Sequence, residues 1–198
     1  MSKGRLEAFS DGVIAILITI MVLELTKPTG ADWPALQSAA PSILWYLLSF
    51  VFLGIYWNNH HHMFAVVRHV NGWVLWANLH LLFWLSLVPF ATDWLGQPNN
   101  HLARVPTLFY GAILLASALA YTILVRAILH LEGPESPLGL AIGRDQKGRL
   151  SLACYVAAIA GGAYRPWIAD VFFVTVACMW IVPDRRIERR VPHASHPD

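Results

Sequence analysis

Arg5, Glu7, Ser10 and Asp11 stand at the head of a run that is otherwise aliphatic, RLEAFSDGVIAILITIMVLEL, residues 5–25. A carboxylate held near hydrocarbon is costly and must find a partner. From residue type alone, Asp11 is either the anchor of a buried polar knot or a proton-relay carboxylate. The polar groups able to meet it cluster in two later stretches, Trp57 to His62 (WNNHHH) and Asn78 with His80. HHH at 60–62, with His69 and His80, also invites a metal centre. The spacing argues against one, because consecutive residues on a helix diverge by about 100°. No H-x-x-x-H or H-E-x-x-H pair occurs either, and those are the spacings that put two imidazoles on one ion. Imidazole titrates near neutrality, which leaves a pH-sensing histidine open. With no Ser-His-Asp set, phosphate loop or cofactor motif, the expectation is a protein that is not an enzyme, with no catalytic residue, no cofactor and no metal.

The elements that must position these groups are membrane helices. Of 198 residues, 57% are hydrophobic and 13% charged, about half the charge of a soluble domain. Six apolar segments follow one another at about 5–25, 39–61, 72–95, 106–129, 150–164 and 166–182. TKPTGADWP, GQPNNH, EGPESPLG and GGAYRP mark breaks between them or at their ends. A straight helix needs roughly 20 residues to cross about 30 Å of hydrocarbon. The last two segments are therefore marginal, tilted or tightly hairpinned. The pattern predicts an all-α polytopic membrane protein with six transmembrane helices, one membrane domain over 1–184 and a basic tail over 185–198. No internal repeat is visible. Lys3 and Arg5 before an apolar run resemble a leader, but Glu24 and Lys27-Pro28 follow where a cleavage site would stand, so a first membrane helix is expected. Cys154 and Cys178 lie far apart in apolar runs and are expected as buried small hydrophobes.

Lysine and arginine set the orientation. With the N-terminus inside, eleven fall inside and three (Lys27, Arg104, Arg165) outside. Both termini are expected in the cytoplasm and the chain in the cell membrane. The tail DRRIERR fits the same bias as a positive-inside anchor, so no nucleic-acid partner is expected.

On a helical wheel with Ile16 at zero, Leu23 falls at about −20°, Ile20 at +40°, Gly12 at −40° and Thr19 at −60°. These five form one stripe. Asp11 lies about 140° from Ile16, and Ser10 about 120° away on the other side. The polar pair points off the stripe, and the stripe itself is either ordinary bundle core or the lining of something else.

RLEAFSD has the form R-x-x-x-F-S-D at the start of a first membrane helix. With GVIAILITIMVLEL behind it, NLHLLFWLSLVPF in the third segment and a Trp/His-rich end to the second, the chain resembles the short prokaryotic form of the transmembrane protein 175 family of potassium channels. The likeness is carried by about the first 95 residues. It implies a homotetramer in the lipid bilayer, with the first helix of each subunit lining a central pore and no TVGYG-type filter. It implies constrictions five, nine and twelve residues after the motif aspartate, at Ile16, Ile20 and Leu23, and a threonine ring at Thr19. It also implies a motif and polar network of Arg5, Phe9, Ser10, Asp11, Trp57, His61, Asn78 and His80. The permeant species would be potassium. A ring of aliphatic side chains offers no oxygen to replace hydration water, so it gates by dewetting and favours the ion that sheds water more readily. Glu24 near the outer mouth would either concentrate cations or be a simple interfacial carboxylate. The competing class is a proton- or cation-coupled secondary transporter using Asp11 and the histidine cluster. The absence of an inverted repeat and of a Gly/Pro-broken central helix argues against it.

Overall fold

The computed structural model describes residues 2–25, 27–97, 99–100, 102–142 and 145–181. Arg144 and the tail at 185–198 lie outside them, as do the orientation and domain expectations that rest on those residues. Eight α-helices occur among the described residues: α1 Lys3–Leu23, α2 Trp33–Val66, α3 Gly72–Ser86, α4 Val88–Gly96, α5 Arg104–Glu132, α6 Pro137–Ile142, α7 Gln146–Tyr164 and α8 Pro166–Ile181. Every apolar segment of the sequence becomes helix. Lys3–Leu23, Trp33–Val66, Gly72–Gly96 and Arg104–Glu132 are long and apolar enough to cross a membrane, and α8 is a shorter apolar helix.

Local chemistry sets several ends. Asp32 accepts the Ala35 N–H at the start of α2, Asn71 the Val74 N–H at the start of α3, and Asp145 the Gly148 N–H at the start of α7. Each satisfies a donor the first helical turn would leave bare. α2 has 34 residues, hence about 51 Å of length, and overshoots the 39–61 window on both sides. The third segment runs over Gly72–Gly96 as one span with a single-residue interruption at Leu87, between α3 and α4. Pro89 has no N–H to give the carbonyl four residues back, and the Leu87 N–H turns to Trp84 O instead.

α5 sits centrally, packed on α3, α4, α7 and α8, while α1 packs on α2, α3 and α4. Tyr110 of α5 is fully buried, edge-on to Trp45 and Phe173 at 5.5 and 5.3 Å between centroids. Its hydroxyl pairs with Ser49 at 2.9 Å, and Thr92 reaches Ser49 at 2.6 Å. Such internal pairing meets the polar groups' needs where no water is at hand. α8 packs one face through Ala169, Phe173, Val176 and Ala177, which leaves its Cys178 exposed; Cys154, on α7, is half-buried, and both are free thiols. The expectation that both are buried is corrected.

The α7–α8 hairpin closes on glycine. A Cβ at Gly161 would stand 2.5 Å from Ile168 Cγ2, and one at Gly162 would stand 3.0 Å from Ala169 Cβ. Gly161→Val is therefore expected to lower stability by about 1–3 kcal/mol through overpacking. Thermal unfolding in detergent reads this, and Ile168→Ala in the same chain should restore most of the loss. An unchanged midpoint for Gly161→Val would show that the hairpin has slack.

Candidate functional site

α1 presents two unlike faces. Leu6, Ser10, Ile14, Leu17 and Met21 are buried against the rest of the chain. The opposite side carries Ile16 at 57% exposed, Ile20 at 39% and Leu23 at 79%, with Gly12 and Thr19 exposed beside them. The five-residue stripe of the wheel is thus not part of this chain's own core. Thr19 Oγ1 lies 3.1 Å from Ala15 O and 3.0 Å from Ile16 O. Its proton turns to the backbone, and its lone pairs remain free to accept.

The buried face is tied down by a directional chain of hydrogen bonds. Ser10 Oγ donates to Leu6 O at 2.9 Å, so it accepts from Asn78 Nδ2, also at 2.9 Å. Asn78 Oδ1 must then face His60 Nε2, 2.8 Å away, and His60 donates from that nitrogen. Ser10, Asn78 and His60 are all fully buried. One residue from each of α1, α2 and α3 is joined in a path whose every donor is assigned by the next acceptor.

The remaining motif residues lie around this path and not in it. Arg5 and Phe9 are exposed. Asp11 is half-buried, and its Oδ1 is sealed from solvent with no partner among the described residues. His61 stacks on Trp57 at 6.0 Å between centroids and lies 3.4 Å from Glu7 through Nδ1. His80 is exposed and accepts from Trp84 Nε1 at 2.9 Å, one turn along its own helix. Lys3 Nζ reaches Ala65 O at 3.4 Å, which sets the start of α1 beside the end of α2. Glu7, Asp11 and His61 come within 4.8 Å of one another through their ligating atoms. Glu7 and Asp11, four residues apart on one helical face, repel unless a cation or a protonated His61 stands between them. Sequence spacing alone does not separate His60 from its neighbours. Only α2's rotation against α3 shows which of the three histidines faces inward.

The family model "Endosomal/lysosomal potassium channel TMEM175" matches residues 5–89. A potassium channel of Chryseobacterium sp. (strain P1-3) is 54% identical over 189 residues, covering 96% of this chain and 97% of that one. The endosomal/lysosomal proton channel TMEM175 of Mus musculus is 32% identical over 146 residues, 66% of this chain but 29% of the mouse protein. Among solved structures, that of a lysosomal potassium-selective channel TMEM175 homolog from Chamaesiphon minutus matches with a TM-score of 0.81 and 31% identity, over 92% of this chain and 97% of that one.

Proposed function

We propose, from the premise that this chain belongs to the TMEM175 family, that it is a potassium channel in which four copies surround a pore lined by the exposed stripe of α1. The observation that carries the reading is the two-sidedness of α1. Its inner face is locked to α2 and α3, and its outer face offers an unpartnered row of Ile16, Thr19, Ile20 and Leu23. A lipid-facing helix needs no such regular constriction, but a helix meeting three copies of itself on an axis does. Branched side chains at Ile16 would leave little room for a hydrated ion, and potassium loses its water at lower cost than sodium. The free lone pairs of the Thr19 hydroxyls are the polar help nearest to that ring. We further place six spans in the cell membrane with both termini in the cytoplasm, α7 and α8 forming the short final hairpin and 185–198 a basic tail. No nucleic-acid partner and no catalytic role enter this reading. A coupled transporter is not favoured, since the relatives are channels.

The test is purified protein in liposomes, with ion flux measured under potassium, sodium and caesium. Potassium flux that needs no counter-ion gradient is expected. Flux that requires such a gradient would replace the channel with a carrier. Mass measurement in detergent and in lipid should give a tetramer, and a monomer or dimer in both would remove the pore.

Asp11 has a structural role in this assembly. It points off the stripe, and its sealed oxygen sits beside Glu7 and His61 of the same chain, where α1 meets the end of α2. An unpaired buried carboxylate costs several kcal/mol, so Asp11→Ala is expected to lower tetramer content or the thermal midpoint. Normal assembly with loss of conductance alone would make Asp11 part of the conduction path.

A further inference from the structure

α2 and α7 have little direct backbone contact. Between them, walled by α5 and by Trp180 of α8, lies a cavity of about 60 Å³. A water needs roughly 10–15 Å³ measured this way, so the space suits a small ligand head. Phe52, Tyr56, Tyr121, Tyr155 and Trp180 line it with five rings, and Asp145 stands at its rim.

The polar groups of the wall are one-sided. Tyr121 donates to Asn59 O at 3.3 Å, Asn59 Nδ2 to Ile55 O at 2.8 Å, and Thr122 to Ala118 O at 2.9 Å. Trp180 Nε1 donates to Ser151 Oγ at 2.8 Å, and Ser151 in turn to Lys147 O at 2.9 Å. These donors are spent within the protein; the Tyr56 and Tyr155 hydroxyls, which can give or take a hydrogen bond, remain, and the Asp145 carboxylate beside them disfavours an anion. The Asp145 carboxylate accepts the Gly148 N–H on Oδ1 at 3.1 Å, and its Oδ2 has no hydrogen bond among the described residues. Tyr155 is 2% exposed, yet its hydroxyl has no hydrogen bond among the described residues. A buried hydroxyl in that state wants a partner in the cavity.

Ring faces attract cations. Lys147 Nζ already lies 5.6 Å from the centroid of the Trp180 ring. We propose that the cavity is a binding site for a small organic ammonium group, held against the tyrosine faces, away from the Trp180 ring that Lys147 covers, and paired with Asp145, a primary ammonium also donating to the Tyr155 oxygen. Inorganic cations fit worse, because the wall offers rings where such ions require a shell of oxygens. The same head group could arrive as a free amine or on an aminophospholipid.

The test uses the full chain in detergent, titrated with ethanolamine and tetramethylammonium by calorimetry and ligand-observed NMR. Native mass spectrometry from nanodiscs of phosphatidylethanolamine or of phosphatidylglycerol provides the lipid arm. Saturable binding of the free cations identifies a soluble amine. Selective retention of phosphatidylethanolamine identifies the lipid head. Asp145→Asn keeps the oxygen that caps α7 and removes the charge, and should weaken binding about fivefold. Ala118→Phe fills the cavity and should abolish binding. Thr122→Leu serves the same purpose if that chain does not fold, and the thermal midpoint of each variant is checked against the parent. No saturable binding and no selective retention, or binding that both kinds of variant leave unchanged, would mean the cavity holds water only and would overturn the proposal.

Discussion

Ile16→Asn in the assembled protein is expected to raise potassium conductance about tenfold and to bring sodium permeability toward that of potassium. The change keeps the same number of side-chain heavy atoms, in a smaller side chain, and supplies oxygen and N–H where Ile16 offers only hydrocarbon groups. A dry constriction then wets, and the dehydration barrier that separates the two ions shrinks. A reduction of about 1.4 kcal/mol in that barrier is a tenfold change in rate. Ile16→Ala should act in the same direction through width. Ala15 supplies the control, since it is also exposed but lies about 100° around the helix. Ala15→Asn should leave current and ion preference near the parent values. If Ile16→Asn does so as well in a verified tetramer, the exposed stripe faces lipid or packs between subunits, and the pore lies elsewhere.

Asn78→Leu is expected to be the most damaging change in the polar knot. Asn78 serves both neighbours at once, giving a proton to Ser10 and taking one from His60. Leucine has the same number of side-chain heavy atoms in a bulkier form, and leaves the His60 ring with no partner at either nitrogen, because Nδ1 already has none among the described residues. A buried polar group deprived of its bond costs about 1–3 kcal/mol, with values toward the lower end typical between membrane helices. A loss of about 2 kcal/mol in stability is expected from thermal unfolding, with a smaller tetramer fraction on size exclusion. Replacing His60 by leucine in the same chain removes the orphaned imidazole and should recover part of the loss. An additive double variant would show that the two residues do not act as a pair.

The α1 stripe is legible because period alone decides it. Ile16, Ile20 and Leu23 fall together on a wheel whatever surrounds them, and the helix that carries them has no proline to disturb the count. The knot is legible only in its ingredients. His60, His61 and His62 are equal on paper, yet the structure turns His60 into the core, sets His61 against Glu7 and leaves Asn78 to choose among them. That choice depends on how α2 rotates against α3, a tertiary quantity with no local signature. His80 is a similar case. Trp84, one turn along, captures its imidazole nitrogen, and a sequence gives no reason to prefer that neighbour over Asp11. Pro89 was visible in the sequence, but its consequence at Leu87 was not, because a proline in a membrane helix is tolerated or disruptive according to what re-satisfies the freed carbonyl.

The path from His60 through Asn78 and Ser10 ends on the carbonyl of Leu6. In the language of proton transport it is a dead end. A relay hands a proton on at each step and resets by turning its donors over, whereas a peptide carbonyl accepts a hydrogen bond without passing the proton along, and an amide between two partners cannot reverse without breaking both bonds. A proton entering this path would meet no onward acceptor past Leu6. The knot holds a helix still: it fixes α1 against α2 and α3 and offers charge no onward route.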